Sequence, residues 1–64
     1  MLSFKEIEIA SIWRNKTTSE LVIVTSKESR IVGNGGWINY CSYDNGRISY
    51  VDDWETFIDD WEEA

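Results

Sequence analysis

Histidine and proline are both missing from this 64-residue chain, and cysteine occurs once, at Cys41. Without histidine, the Ser-His and Cys-His pairs that activate many hydrolytic nucleophiles cannot be assembled from this chain. A single cysteine excludes a disulfide within the chain and a cysteine-rich structural metal site. These absences exclude the commonest catalytic arrangements, and we expect no enzyme activity, no catalytic residue, no cofactor and no metal site.

Long apolar runs are also missing, and no stretch approaches the roughly 20 apolar residues that a helical membrane span needs. Lys5, Glu6 and Glu8 interrupt the first ten residues, so these do not form the apolar segment of a secretory signal peptide. A lone thiol without an export signal fits a reducing compartment. The sequence therefore predicts a cytoplasmic protein with no membrane partner.

The short length limits how much core the chain can build. We expect one domain over residues 1–64, and a chain of this size buries only about 60% of the surface that its unfolded form exposes. Four Trp, three Tyr and two Phe compensate, because each aromatic side chain can bury roughly 150–250 Å². Association of two copies is another way to bury surface, and the sequence leaves a homodimer open.

Acidic residues are abundant, and they are concentrated at the C-terminus. Twelve acids stand against six basic residues, for a net charge of −6. Residues 1–51 hold all six basic residues and five acids, a net of +1, so residues 52–64 account for the whole negative charge. We call these last thirteen residues the acidic tail. Its acids are Asp52, Asp53, Glu55, Asp59, Asp60, Glu62 and Glu63.

The apolar residues of the acidic tail follow the spacing of an α-helix. They stand at i, i+3, i+4 and i+7, which places them on one side of a helix. They are Trp54, Phe57, Ile58 and Trp61. Asp52 with Glu55 three residues later fits a capping box, and Asp53 is an alternative N-cap. We therefore predict a β-sheet body over residues 1–51 and an acidic C-terminal helix over residues 52–63.

Residues 1–36 predict short strands separated by turns. Residues 6–13 begin with strict alternation, which indicates a half-buried strand with a bulge or bend near Ala10. Ser3 and Glu6 also fit a capping box, so a short helical turn there remains open. Residues 21–25 are apolar on both faces and predict the central, most buried strand. Turns are expected over 14–19 and 27–30, a short strand over 30–32, and a Gly-rich break over 33–36.

Asn45-Gly46 is the strongest hairpin signal in the chain. It separates strand-like runs over 37–43 and 47–51 and favours a two-residue type I′ turn. That turn would place Cys41 opposite Tyr50. With the earlier strands, this gives about five short strands and one helix. The predicted core residues are Ile7, Ile9, Ile12, Leu21, Ile23, Val24, Ile38, Tyr40, Ile48, Val51, Phe57, Ile58 and Trp61.

The order of these elements resembles small SH3-like β-barrel proteins that recur among bacteriophage and mobile-element genes, mostly without assigned function. The matching stretches are residues 13–17 (Trp-Arg-Asn-Lys-Thr), 21–24, 37–40 with 48–51, and 54–61. Ser11-Ile12 stands where that family usually has a glycine before the first Trp. The resemblance implies an α+β fold, with a twisted antiparallel sheet or partial barrel and one C-terminal helix. It also implies a phage origin, hence the host cytoplasm, and it carries no catalytic residue.

The acidic tail is the main candidate for function. Acids near a helix C-terminus oppose the helix dipole, and Glu55 and Asp59 repel each other at i, i+4, with no lysine in the tail to offset them. One interpretation is a solvated face that keeps the protein soluble. Another is a protein-binding or inhibitory module that docks on a basic surface of a host protein, in its strongest form by mimicking nucleic acid. The candidate contact residues are the seven tail acids and Trp37.

Two further hypotheses remain. The sheet could bind single-stranded nucleic acid by base stacking. The residues involved would be Trp13, Trp37, Tyr40, Tyr43 and Tyr50, with Arg14, Lys16, Arg30 and Arg47 at the rim. A body charge of +1 is a weak basic footprint, and the acidic tail repels phosphate, so direct nucleic-acid binding is not favoured. The last hypothesis is a purely structural or oligomerising domain.

Overall fold

The computed structural model describes residues 3–31 and 35–64. Its elements are a 3₁₀ turn and then β1 to β4, α1 and β5. Their bounds are Phe4–Glu6 for the 3₁₀ turn, Ile12–Asn15 for β1, Leu21–Ser29 for β2, Gly36–Ser42 for β3, Ser49–Asp53 for β4, Trp54–Asp60 for α1 and Trp61–Glu63 for β5. The fold is α+β, as predicted, with five antiparallel strands and one short α-helix in the described residues.

The five strands form one open sheet in the order β4-β3-β2-β1-β5. The strand at residues 21–29 is central, as its two-sided apolar pattern predicted. It is not the most buried strand, because two of its residues are buried whereas three residues of β3 are buried. β5 is the last strand of the chain, yet it pairs with β1, so that Trp13 lies opposite Glu63. β4 and β5 are the edge strands. The β1–β5 pair therefore connects the first and the last strand of the described fold.

The core lies between α1 and the face of the sheet that α1 covers, here called the inner face. Phe57 is at its centre, with its ring centroid 5.1 Å from that of Trp13, 5.0 Å from Tyr40 and 6.1 Å from Trp61. Edge-to-face and offset pairs of this kind add to the energy of burial. The buried residues are Ile7, Trp13, Val22, Val24, Ile38, Tyr40, Phe57 and Trp61.

The N-terminal part of the core differs from the prediction. The expected strand over residues 6–13 forms only from Ile12, because Ala10 has a φ of +72° and turns the chain. Ile7 is buried but Ile9 is 59% exposed, so the alternation in this segment did not indicate a strand. Trp13 has no exposed surface, although it was not among the predicted core residues. The prediction of a bend near Ala10 is confirmed.

The β3–β4 hairpin has a different register from the one predicted. Tyr50 lies opposite Tyr40, and Cys41 lies opposite Ser49 rather than Tyr50. Neither Asn45 nor Gly46 has a positive φ, so the type I′ turn is wrong, and a longer loop over residues 43–48 joins the strands. A shift of one residue exchanges the two faces of a strand. The predicted core residue Val51 is consequently exposed on the face away from α1.

Three other predicted core residues, Ile12, Leu21 and Ile48, are also exposed. Ile12 and Leu21 belong to strands whose other face packs on α1, since their neighbours Trp13 and Val22 are fully buried. Ile48 lies in the hairpin loop. Ile12 and Leu21 were assigned to the core because they are apolar. Successive side chains of a strand point to opposite faces, and both residues lie on the face of the sheet away from α1.

β2 is longer than predicted, and its second half changes register. Residues 27–29 belong to the strand rather than to a turn, and a bulge lies between Val24 and Ser26. The bulge brings Lys27 to the inner face, where its Nζ lies 4.8 Å from the centroid of the Phe4 ring. Arg30 and Ile31 are not in a strand, contrary to the strand expected over 30–32. Residues 32–34 of that prediction and of the Gly-rich break lie outside the described residues.

The C-terminal helix is shorter than the predicted 52–63. Asp53 is the N-cap, and its carboxylate accepts a hydrogen bond of 3.1 Å from the amide of Glu55, so the alternative cap is the correct one. Asp52 belongs to β4. After Asp60 the chain becomes extended and pairs with β1, whose open edge offers backbone partners. Three members of the predicted apolar stripe lie on α1, where Phe57 is buried and Trp54 and Ile58 are partly buried. The fourth, Trp61, is buried as predicted, but it belongs to β5 and not to the helix.

Candidate protein-binding surfaces

Asp52 and Asp53, predicted as partner-binding acids, are bound within the fold. Asp52 Oδ2 accepts a hydrogen bond from the hydroxyl of Tyr40. Burial raises the pKa of Tyr40 above its usual value, and the bond to the Asp52 carboxylate raises it further. Asp53 caps α1 and also forms an ion pair with Arg30. These two carboxylates hold the start of the helix against the sheet, and this internal role accounts for their presence.

Glu62 and Glu63 lie on edge strand β5 rather than on the helix. Glu62 is opposite Arg14 and forms an ion pair with it, at 2.9 Å between Nη2 and Oε2. Both side chains are about half exposed, so this pair contributes at most about 1 kcal/mol. Glu63 lies near Glu6 and Glu8, in a small cleft on the opposite side of β1. The structure therefore separates these two acids from those of the helix.

Glu55, Asp59 and Asp60 remain on α1, and we call them the acidic patch. All three residues are exposed. Glu55 and Asp59 are one turn apart at i, i+4 on the helix surface, where like charges repel. Among residues 3–31 and 35–64, no basic side chain forms an ion pair with any of the three. The acidic patch is therefore smaller than the predicted seven-residue surface, and its charge is not neutralised within the described fold.

Lys16 stabilises the C-terminal end of α1. Its Nζ donates a hydrogen bond of 3.0 Å to the carbonyl oxygen of Ile58, and its backbone amide donates one of 2.9 Å to that of Asp60. A cation in this position interacts favourably with the helix dipole, by about 0.3–1 kcal/mol. The unfavourable charge at this helix end is thus partly offset by the β1–β2 turn, which the sequence did not indicate because Lys16 is distant in the chain.

The side of the sheet opposite α1, here called the outer face, is rich in apolar side chains. One row across four strands consists of residues 12, 23, 41 and 49, which are register partners. Five large apolar side chains on this face are between 36% and 59% exposed. α1 packs on the opposite side of the sheet. The apolar residues of the outer face are Ile12, Leu21, Ile23, Trp37, Cys41, Tyr43 and Val51.

The outer face was missed as a surface, although its signal was present in the sequence. Residues 21–25 are apolar on both sides, and we interpreted this as the central, most buried strand. A strand with two apolar sides in a single sheet needs a layer on each side. In the described residues, α1 supplies a layer on one side only. Trp37, a predicted contact residue, is 43% exposed on this face.

The aromatic residues proposed to stack on nucleic acid are divided between the two sides of the sheet. Trp13 and Tyr40 are in the core, and Tyr50 stacks on Tyr40 on the inner face at 5.3 Å. Trp37 and Tyr43 are on the outer face. Two of the four basic residues expected at the rim are ion-paired with carboxylates, and a third bonds to the carbonyl of a helix residue. The sheet therefore lacks a continuous aromatic platform with free cations around it.

A cleft of about 480 Å³ opens between the 3₁₀ turn and the start of α1. Gly35, with a φ of +84°, lies against Trp54, and a Cβ at this position would come within 2.1 Å of the indole Nε1. No local pattern in the sequence indicates the cleft, because its walls come from four separate segments of the chain. Its lining residues are Ser3, Phe4, Lys5, Ser29, Arg30, Gly35 and Trp54.

Comparison with models of protein families, with curated proteins and with solved structures gives no match to this chain. Within residues 3–31 and 35–64, no three His, Cys, Asp or Glu side chains are grouped so that they could hold a metal ion. Over the same ranges, the helix is too short and too polar to cross a membrane. The acidic patch and the outer face are therefore the two candidate binding surfaces of the described fold.

Proposed function

We propose that this protein is a small non-enzymatic protein-binding module that contacts a basic surface of a partner protein through the acidic patch. The observation that carries this proposal is the difference among the tail acids. Asp52, Asp53 and Glu62 are bound to partners within the fold, whereas the three acids of the patch are exposed and form no ion pair among the described residues. Stabilisation of the fold accounts for the first group and does not account for the second.

Energetics support a role for the acidic patch outside the fold. Repulsion between Glu55 and Asp59 costs a few tenths of a kcal/mol, and acids at the last turn oppose the helix dipole. Lys16 offsets part of this cost but forms no ion pair with the patch. A small domain has little stability to spare. A charge that weakens the helix and remains exposed is best explained by a partner of opposite charge.

The partner is proposed to be a host protein, and the module an inhibitor or modulator encoded by a phage. The resemblance to small SH3-like phage proteins supports this part of the proposal. Mimicry of nucleic acid receives less support than the sequence suggested. The seven-residue helix is only about 10 Å long, so three charges have roughly half the linear density of duplex DNA, which carries one charge per about 1.7 Å. A local basic site on a protein fits this patch better than a long DNA-binding groove.

The proposal is tested by affinity capture from host lysate with a neutralised patch, Glu55→Gln/Asp59→Asn/Asp60→Asn. The matched control, Glu8→Gln/Glu20→Gln/Asp44→Asn, removes the same charge from three exposed acids outside the acidic tail. We expect a partner that the wild type and the control retain at low salt and that the patch variant loses. At 1 M salt, where the Debye length is about 3 Å, the wild type should also lose it.

A second readout separates binding from stability. If the acids of the patch served the fold, their neutralisation would lower the melting temperature, whereas we expect it to remain equal or rise because repulsion is removed. Equal retention of every partner by the patch variant and the wild type would contradict the proposal. A salt-sensitive shift of single-stranded DNA by the wild type would favour the alternative of nucleic-acid binding, in which Trp37 and Tyr43 supply the exposed aromatic rings.

A further inference from the structure

We infer that the outer face of the sheet is the interface of a symmetric homodimer, in which a second copy of this chain supplies the layer that the sheet lacks. The first argument is the pattern of β2, the central strand. Val22 and Val24 are buried under α1, while Leu21 and Ile23 point to the outer face. A central strand with two apolar sides is typical of a sheet that is covered on both. In the described residues, α1 covers only the inner face of this sheet.

Charge is the second argument, and it identifies the occupant. Two chains of net charge −6 repel unless they meet through a surface of low charge. The outer face has this property, since Arg14 is paired with Glu62 at one edge. At the opposite edge Arg30 is paired with Asp53. The acidic patch lies on the other side of the molecule, on α1. Two copies that meet face to face therefore place their acidic patches far apart.

The two ion pairs form a charged rim around the apolar surface of the outer face. Arg30 lies over the ring of Trp37, with 6.0 Å between the guanidinium carbon and the ring centroid. Glu28, the register partner of Trp37, is the acid of this face that lacks an ion pair in the described residues. A charged rim around an apolar centre is the usual arrangement of protein interfaces. In a two-fold dimer each copy contributes the same surface, so the outer face of one copy contacts the outer face of the other.

The size of the face agrees with this assignment. The molecule measures 34 × 25 × 15 Å along its principal axes. The broadest side of this envelope is 34 × 25 Å, roughly 850 Å² for the whole molecule. This upper limit admits the roughly 800 Å² per partner that a standard interface buries. Sheets that pack face to face lie about 10 Å apart, which lets the side chains of the two outer faces interdigitate.

The dimer is tested by sedimentation equilibrium from low to high micromolar protein. We expect the mass to approach twice the 7.5 kDa of the chain as concentration rises. Val51→Asp, at a 59% exposed position, and Leu21→Asp are each expected to weaken association about tenfold or more, because they bury an unpaired carboxylate. Ile9→Asp and Ile31→Asp are matched controls, since both side chains are exposed and lie off the sheet. These should leave the dimer unchanged.

Two further readouts keep the test decisive where a variant folds poorly. The melting temperature of the wild type should rise with protein concentration, and that of Val51→Asp should not. Cys41, half-buried in the middle of the outer face, should react with a thiol reagent more slowly as concentration rises. A wild type that is monomeric at every concentration overturns the inference. So does a dimer that Val51→Asp and Leu21→Asp leave intact, which would point to pairing of edge strands instead.

The inference is independent of the acidic patch. The neutralised patch variant, Glu55→Gln/Asp59→Asn/Asp60→Asn, is expected to dimerise at least as well as the wild type, because its substitutions lie on the opposite side of the sheet. Loss of the partner protein with retention of the dimer, or the reverse, would show that the two surfaces act separately. Dimerisation would also present two acidic patches, one on each outer side of the assembly, and so raise the avidity for a partner with two basic sites.

Discussion

The hydroxyl of Tyr40 donates a hydrogen bond to the carboxylate of Asp52, across the β3–β4 hairpin on the inner face of the sheet. Tyr40 is 4% exposed and contacts the ring of Phe57, while Asp52 immediately precedes the N-cap of α1. One bond therefore connects the aromatic core to the start of the helix. It also explains why an acid stands at this position, independently of any partner.

The bond between Tyr40 and Asp52 predicts how stability depends on pH in the alkaline range. The folded pKa of Tyr40 is raised above the usual value of about 10 for tyrosine, first by burial and then by the bond to Asp52. Above about pH 10 the unfolded chain loses this proton while the folded chain retains it. The stabilising contribution is thus complete below pH 10 and is lost as the pH rises towards the folded pKa.

Tyr40→Phe should therefore be less stable than the wild type at neutral pH, by about 1–2 kcal/mol, because Asp52 loses its donor. The difference should shrink above about pH 10. Urea unfolding at about pH 7 and about pH 11 measures both quantities. Tyr43→Phe is the control, since this side chain is 51% exposed and has no such bond. A constant difference between Tyr40→Phe and wild type across the range would contradict the role assigned to this pair.

Phe57→Ala is expected to unfold the protein or to destabilise it by about 3–5 kcal/mol, because it removes the ring at the centre of the core. Phe57 has no exposed surface and contacts three other aromatic side chains. Circular dichroism and urea unfolding give the measurement. Ile9→Ala, at a 59% exposed position, should change stability by less than about 0.5 kcal/mol. Comparable losses from the two substitutions would show that α1 is not the element that closes the core.

Gly36→Ala should destabilise the protein, whereas Gly46→Ala should not. A Cβ on Gly36 would lie 1.8 Å from the carbonyl oxygen of Glu28, a backbone atom of the paired strand, so the hairpin between β2 and β3 must open. Gly46 has no neighbour within 4 Å of a Cβ and no positive φ. Its replacement should be neutral, or should stabilise by about 0.4–1 kcal/mol by restricting the unfolded chain.

Thermal unfolding of the two glycine variants decides between two turns. A type I′ turn at Asn45-Gly46 requires positive φ at Gly46, and alanine there would be strained. Clear destabilisation by Gly46→Ala would therefore support the turn expected from the sequence against the loop seen in the structure.

Asp53→Ala should destabilise the protein by about 1–2 kcal/mol through loss of the N-cap of α1. Asp53→Asn keeps an oxygen that can accept from the amide of Glu55 and removes the charge that pairs with Arg30. Its effect should stay below about 1 kcal/mol, because the ion pair is partly exposed. Denaturant unfolding of both variants at low and high salt separates the cap from the ion pair. Equal effects of the two substitutions would argue against the cap.

Local patterns in the sequence were good predictors where the interacting residues are near one another in the chain. The apolar stripe of Trp54, Phe57 and Ile58 on α1, the N-cap at Asp53 as one of two alternatives, and the bend at Ala10 all depend on a few neighbouring residues. The acidic patch could be predicted only in part. Its members were among the seven candidates, but the sequence contains no signal that Asp52 bonds to Tyr40 or that Glu62 pairs with Arg14.

Pairing between distant strands was not predictable in this way. Alternation over residues 6–13 resembles a strand, yet the strand begins at Ile12, and residues 61–63 leave the helix because β1 has an open edge beside them. The hairpin register differs by one residue, which exchanges the faces of Tyr50 and Val51. Each of these outcomes depends on which backbone groups meet across the sheet, and that is a non-local property.

By itself, the sequence determined the α+β class, the central strand and the amphipathic C-terminal helix, because periodicity and capping act over a single turn or strand. The tertiary structure decided which acids remain exposed and which side of the sheet is covered. Asp52, Asp53 and Glu62 found partners in other strands and in a loop, while Glu55, Asp59 and Asp60 form no ion pair within residues 3–31 and 35–64. The physical reason is that a charge pairs, and an apolar face is buried, only through contacts that folding brings together.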